Sequence, residues 1–299
     1  MTRRGFTALL AAGTLRAESQ ATFDFHSGLW VNLHNVLYNM AAGKKDGRQP
    51  GLSALKLEEL AVWNDSLNYY DANVISHAFG EFPMIVISEE LSAAGSAESL
   101  KTKDPDRIFQ ILEKAAPVYR AHWWPEHDRK NREWIDTVSP LVTAHEGALK
   151  PALARAYDTR WPRERVRVEV SYYLTGGSGY TSLEPTLTTV SSWSKRNAGA
   201  AGVETLFHEA GHAMMARVQK EIDSYKKHLP KDLWHALMFY TTGELVSRRL
   251  PEVEPYAIKY GLWESGWPGV LEVLKRRWKP FLDGQGTFRE AIDAVVMES

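Results

Sequence analysis

The residues of this chain best spaced for chemistry are His208, Glu209 and His212, in the run His208-Glu209-Ala210-Gly211-His212. On an α-helix, residues four apart lie about 40° from each other around the axis, one turn up. Two imidazoles so placed can share one metal ion. The carboxylate of Glu209, beside the first of them, can reach a water on that ion and take its proton.

The surrounding residues support a helix over 203–218. Val203, Leu206, Phe207, Ala210, Ala213 and Met214 recur at spacings of three and four, which makes one apolar stripe. Glu204 puts an acid in the first turn, and Arg217 and Lys220 put bases in the last, as the helix dipole favours. Gly211 lowers helix propensity by about 1 kcal/mol relative to alanine. A glycine between two ligand positions predicts a close neighbour there.

A catalytic zinc site has three protein ligands and one open position. An extended motif with a third histidine six residues on is excluded, because Met215 and Val218 occupy the required glycine and histidine places. The other common solution is a glutamate on a following helix. Glu244 fits best, in the helical stretch from Asp232 to Leu250. Tyr240, one turn earlier, shares its face and can serve an oxyanion. Arg248, one turn later, can orient Glu244 or hold a substrate carboxylate. His235 lies about 180° round the same helix from Glu244, so the two cannot both be ligands unless the helix breaks. Glu221, Asp223 and His228 lie too near the end of the metal helix to share its centre.

Composition bounds the function classes. The chain has 299 residues, 44% hydrophobic and 24% charged, with a formal net charge of −1. That suits a soluble globular fold and gives no field for nucleic acid. The absence of cysteine excludes disulfides, thiolate metal sites and cysteine nucleophiles. No apolar stretch is long enough to span a bilayer, so no stable membrane insertion is expected. No oligomeric state is implied. The start, Thr2-Arg3-Arg4-Gly5-Phe6 with a mild apolar run after it, reads as a twin-arginine-like export signal over residues 1–20. It implies a periplasmic or extracellular destination; a cytoplasmic one is the alternative.

The elements that must hold the motif follow from periodicity. Residues 21–160 read as a helical part. Its helices fall over 23–40, 53–70, 105–119, 125–138 and 142–157, the last two broken near Pro140. Met84 to Ile87 is ambiguous between strand and helix. His26 and His34 read as packing histidines, and His122-Trp123-Trp124 as an aromatic junction between helices. Residues 161–299 carry the metal site. Val166 to Tyr172 alternates strictly and predicts a half-buried strand. Gly176 to Gly179 reads as a turn, and Thr186 to Ser191 as a second strand. Helices are expected again at 232–250, 267–281 and 287–296. The fold class is α+β and predominantly α-helical, with a small β-sheet beside the motif helix.

His208, Glu209 and His212, with Glu244 downstream and strands upstream, make residues 165–250 resemble the gluzincin group of zinc metallopeptidases. The resemblance implies a zincin-like core holding Zn2+ on His208, His212 and Glu244, with Glu209 as general base. It implies a peptide or protein substrate paired with an edge strand, a role falling to Thr186–Ser191, with Thr186 and Thr188 as substrate contacts. Tyr240, then Tyr180, are the expected oxyanion partners. Two departures stand out: Arg248 replaces the usual acid one turn after the glutamate, and the long helical stretch before the sheet has no match in the group. The alternatives are a zinc hydrolase of a non-peptide substrate and a non-catalytic exported metal-binding protein.

Overall fold

The computed structural model describes residues 21–45, 52–75, 84–94, 108–174, 178–183 and 186–299. Residues 1–20, on which the export reading rests, lie outside them. The described fold is dominated by α-helices around one small open sheet.

The sheet has four strands: β1 (Phe23–His26), β2 (Val166–Ser171), β3 (Gly179–Leu183) and β4 (Thr186–Ser191). Their order is β1-β2-β4-β3, with β1 and β4 parallel to β2 and β3 antiparallel to β4. The two strands expected from the sequence, β2 from its alternation and β4 from its Thr and Val content, form the middle of the sheet. The residues at 23–26 form a strand where the sequence suggests the start of a helix. Phe-Asp-Phe-His has period two, and Phe23 buries its ring against Phe207 with centroids 5.4 Å apart. The helix α1 begins only at Leu29 and runs to Lys45.

β4 is not the edge strand. It pairs with β2 on one side and β3 on the other, so Thr186–Ser191 cannot receive a substrate strand. The edge on that side is β3, from residues that read as a turn running into a short polar stretch. Among the described residues no strand pairs with its far side.

The remaining early helices are α2 (Leu57–Asn73), α3 (Met84–Ala94), α4 (Ile108–His122) and α5 (Trp124–Ala156). The ambiguous run at Met84 is therefore helical. α5 is one continuous helix through Pro140 and Pro151. Both prolines are exposed, so water can take the carbonyls that their missing N–H groups leave unpaired. The aromatic junction between α4 and α5 is as expected, with the Tyr119 and Trp124 ring centroids 5.9 Å apart.

Two apolar cores result. One gathers α1–α4 around Trp63, Tyr70 and Tyr119. The other gathers the sheet, α5 and the C-terminal helices around Phe207, Trp278 and Val203. In this second core lie α6 (Ala200–Gly211), α7 (Ala216–Asp223) and α8 (Leu233–Ser247). Short helices follow at Tyr256–Lys259 (α9) and Leu262–Gly266 (α10), and α11 (Phe288–Glu298) comes after them behind a Thr287–Glu290 capping box. Among the described residues no helix is long and apolar enough to cross a membrane.

Candidate metal centre

α6 carries His208 and Glu209 in its last turn and gives way at His212 to a 3-10 turn over His212–Met214. The expected single helix over 203–218 thus divides at the second histidine. The two rings still meet, with centroids 5.4 Å apart and planes at 85°.

The third histidine at this place is His235, from the first turn of α8. Its Nε2 lies 3.2 Å from Nε2 of His208. One ligand atom from each of His208, His212 and His235 can be chosen so that all three lie within 4.8 Å of one another. Two nitrogens bound to one tetrahedral zinc at about 2.05 Å are about 3.3 Å apart, so the 3.2 Å separation suits a shared ion. Glu244 is elsewhere. Its carboxylate accepts from Arg248 Nε at 3.1 Å and Nη2 at 2.8 Å, and Lys279 stands 3.5 Å away. Arg248 also donates to Asp283 at 2.6 Å. The mutual exclusion of His235 and Glu244 read from the sequence holds, and the geometry favours His235.

The donors fit a divalent metal chemically. His208 is 7% exposed and its Nδ1 has no partner among the described residues. Burial, then the neighbouring His212 and His235, push the His208 pKa well below the usual imidazole value. Burial, with His235 adding to it, takes His212 to about 4, and burial alone takes His235 to about 4. All three imidazoles are therefore neutral at pH 7 with ring nitrogens free to ligate.

Glu209 sits beside this cluster, 7% exposed, with Oε2 3.9 Å from His212 Nε2. The Thr181 hydroxyl on β3 donates to that oxygen at 2.9 Å. Burial raises the Glu209 pKa to about 7, against the pull of the Thr181 hydrogen bond; a bound cation would lower it again. β3 comes this close because residue 179 is glycine. A Cβ there would stand 3.2 Å from Glu209 Cγ and 3.2 Å from the Thr189 carbonyl oxygen. Gly211 serves α8 in the same way: a Cβ would meet Met238 Sδ at 3.3 Å. That is the close neighbour its position predicts.

The cluster forms part of the wall of a cleft of about 840 Å3, whose other walls include β3, Trp234, Phe239 and Tyr256. Phe239 lies on His208 with centroids 4.0 Å apart. Among the other expected site residues, Tyr180 lines the cleft, with its hydroxyl 2.8 Å from Ser88 Oγ. Tyr240 packs edge-on against Trp263, centroids 6.4 Å apart, outside the cleft lining. Thr188 is buried on β4 opposite Thr181 of β3, their hydroxyls 3.1 Å apart, and Thr186 opens onto a separate hollow near Arg165.

Comparison with protein-family models, curated proteins and solved structures finds no match. The site is a clustered His208/Glu209/His212/His235 arrangement of the kind that binds a metal, in the wall of an aromatic cleft.

His235 escapes the sequence because α8 is apolar almost all round. Leu233, Ala236, Leu237, Met238, Tyr240, Leu245 and Val246 are all buried, so no stripe tells which side faces α6. The one usable signal is Trp234-His235 followed four residues later by Phe239, an aromatic face with a histidine in it.

Proposed function

We propose that this protein is a zinc-dependent hydrolase, a metallopeptidase that holds its metal on His208, His212 and His235 and uses Glu209 as general base. The observation that carries this reading is the meeting of three neutral imidazoles with one buried carboxylate at a cleft wall. When bound, zinc supplies Lewis acidity, polarising a carbonyl and making a water easier to deprotonate.

The chain's own residues do the rest. Glu209 accepts a proton as the water oxygen bonds to the carbonyl carbon. It then passes that proton to the nitrogen, which leaves as the C–N bond breaks. Thr181, donating to Oε2, orients the carboxylate and leaves Oε1 for the water. The aromatic lining at Trp234, Phe239 and Tyr256 lowers the local polarity beside the cluster, which strengthens each charge interaction.

A peptide is the substrate that suits β3. The strand lies at the end of the sheet order, antiparallel to β4, and reaches Glu209 through Thr181. An extended chain laid along it brings a backbone carbonyl to the cluster by β-augmentation. This reading places the zincin-like arrangement on β3 and α6, with a histidine where the gluzincin pattern has glutamate. Export through residues 1–20 belongs to the same proposal.

Glu209→Gln tests the division of labour. It should retain zinc at the wild-type ratio and lose peptide hydrolysis by about 10²–10⁴-fold. Zinc content by elemental analysis and turnover of a peptide mixture by mass spectrometry give the two readouts. Retained turnover with retained zinc would remove Glu209 from the mechanism.

A further inference from the structure

Arg196 stands on the cleft wall with no acidic partner. It lies in the 3-10 turn Lys195–Asn197 and is the one Lys or Arg among the described residues lining the cleft. No described carboxylate is within ion-pair distance of it, whereas Arg248 holds two. Its Nη1 donates to the Tyr256 hydroxyl at 3.0 Å, which engages one of five N–H donors. The guanidinium carbon sits 4.4 Å from the Tyr260 ring centre and 5.9 Å from that of Tyr256.

The residues around Arg196 are rigidly tied. Asn197, fully buried, donates from Nδ2 to the carbonyls of Ser178 at 2.6 Å and Ser191 at 2.8 Å. Its Oδ1 accepts from the Thr205 hydroxyl at 2.9 Å, and its carbonyl accepts from Trp134 Nε1 at 2.8 Å. Tyr256 is pinned as well: its N–H donates to both Glu204 oxygens, at 2.9 and 3.1 Å. The Tyr256 ring stacks on Phe239, 6.0 Å between centroids, and Phe239 lies on His208. Ring contacts thus lead from the metal cluster to the guanidinium.

We propose that Arg196 recognises the free C-terminal carboxylate of the substrate, so that hydrolysis falls within a few residues of the peptide's C-terminus. This deepens the peptidase reading above and rests on it. A planar fork of N–H donors matches a carboxylate, and the tyrosine faces hold the fork in place before substrate arrives. Glu204 is a positioning residue here: it fixes Tyr256, which fixes Arg196. The apolar walls at Trp234, Phe239 and Leu262 favour apolar side chains between the carboxylate and the scissile bond.

The test uses N-acetylated degenerate pentapeptides, once with a free C-terminal carboxylate and once amidated. Cleavage by the zinc-loaded full chain is read by mass spectrometry, and binding to its Glu209→Gln variant by equilibrium dialysis. The free acids should be preferred about 10- to 100-fold in both readouts, the range for hydrogen bonds to a charged group. Arg196→Ala should erase the preference with zinc content unchanged, and Arg196→Lys, which keeps the charge without the fork, should restore part of it. Equal treatment of acid and amide, a preference that survives Arg196→Ala, or failure of both peptides to bind would overturn the proposal. A binding preference for the acid that depends on Arg196, without cleavage by the wild type, would support Arg196 as the carboxylate site and overturn the hydrolysis reading instead.

Discussion

The two ends of α8 carry polar groups that look alike in sequence and differ in every physical respect. At the first turn, His235 is held among aromatic rings, Trp234 and Phe239 at 5.0 and 4.7 Å, with a second histidine as its polar neighbour. At the last turn, Glu244 is surrounded by compensation: Arg248, Lys279 and, through them, Asp283. A network of paired, partly exposed charges is complete as it stands and contributes little to stability. Three neutral imidazoles beside a buried carboxylate form a cluster able to hold a cation, and His208 Nδ1 has no partner among the described residues. The lesson is that missing partners, more than the presence of ligand-type residues, mark the functional end of the helix.

If the first end is built for chemistry, it should tolerate no slack. Gly179→Ala drives a methyl group into Glu209 and the Thr189 carbonyl. Displacing the base by a few tenths of an ångström should lower the turnover number by about 10-fold, with zinc content unchanged. Steady-state kinetics beside zinc analysis would show this. An alanine variant as fast as wild type would mean that Glu209 is less closely confined than the cleft implies.

Acid provides a second way to sharpen the contrast. His235 has a folded-state value of about 4 against the ordinary 6.5, because burial disfavours its charged form. Below pH 6.5 the unfolded chain therefore takes up a proton that the folded chain refuses, and stability falls until about pH 4. Glu209, raised to about 7 by burial, has the opposite sign: it loses stability as pH rises from 4.5 to 7. In the metal-free protein, His235→Asn should lose about 2 kcal/mol less than wild type between pH 7 and pH 5. Urea unfolding at the two pH values measures the difference. Equal losses would mean that His235 is not held neutral.

Much of this site was legible in the sequence, and the losses have physical causes. The H-E-x-x-H spacing placed His208 and His212 together because helical geometry leaves little choice. β2 showed its alternation and β4 its Thr and Val content. β3 did not, since Gly179-Tyr180-Thr181-Ser182-Leu183 opens on a glycine and leaves Leu183 exposed, while Gly179 and Thr181 lie against Glu209. The resemblance puts the edge at β4, whereas the fold puts it at β3. β1 was absorbed into the helix that follows it, because four residues are too few to establish a period. Pro140 read as a break, yet its exposed position lets α5 continue. Glu244 was preferred to His235 because an all-round apolar helix hides its orientation, and the face of α8 is set by tertiary contacts such as Met238 on Gly211.

The assignment of the metal to one end of α8 is tested most directly by zinc content in two variants. His235→Ala and Glu244→Ala are dialysed with wild type against the same zinc-buffered solution and analysed for bound metal. Removing one of three protein ligands should strip most of the zinc from the His235 variant, and with it the zinc-dependent rise in melting temperature. The Glu244 variant should keep zinc at the wild-type ratio and the full thermal response, losing no more than about 1 kcal/mol of stability from its ion network. Full zinc in His235→Ala together with depleted zinc in Glu244→Ala would contradict the account and return the metal to the other end of the helix.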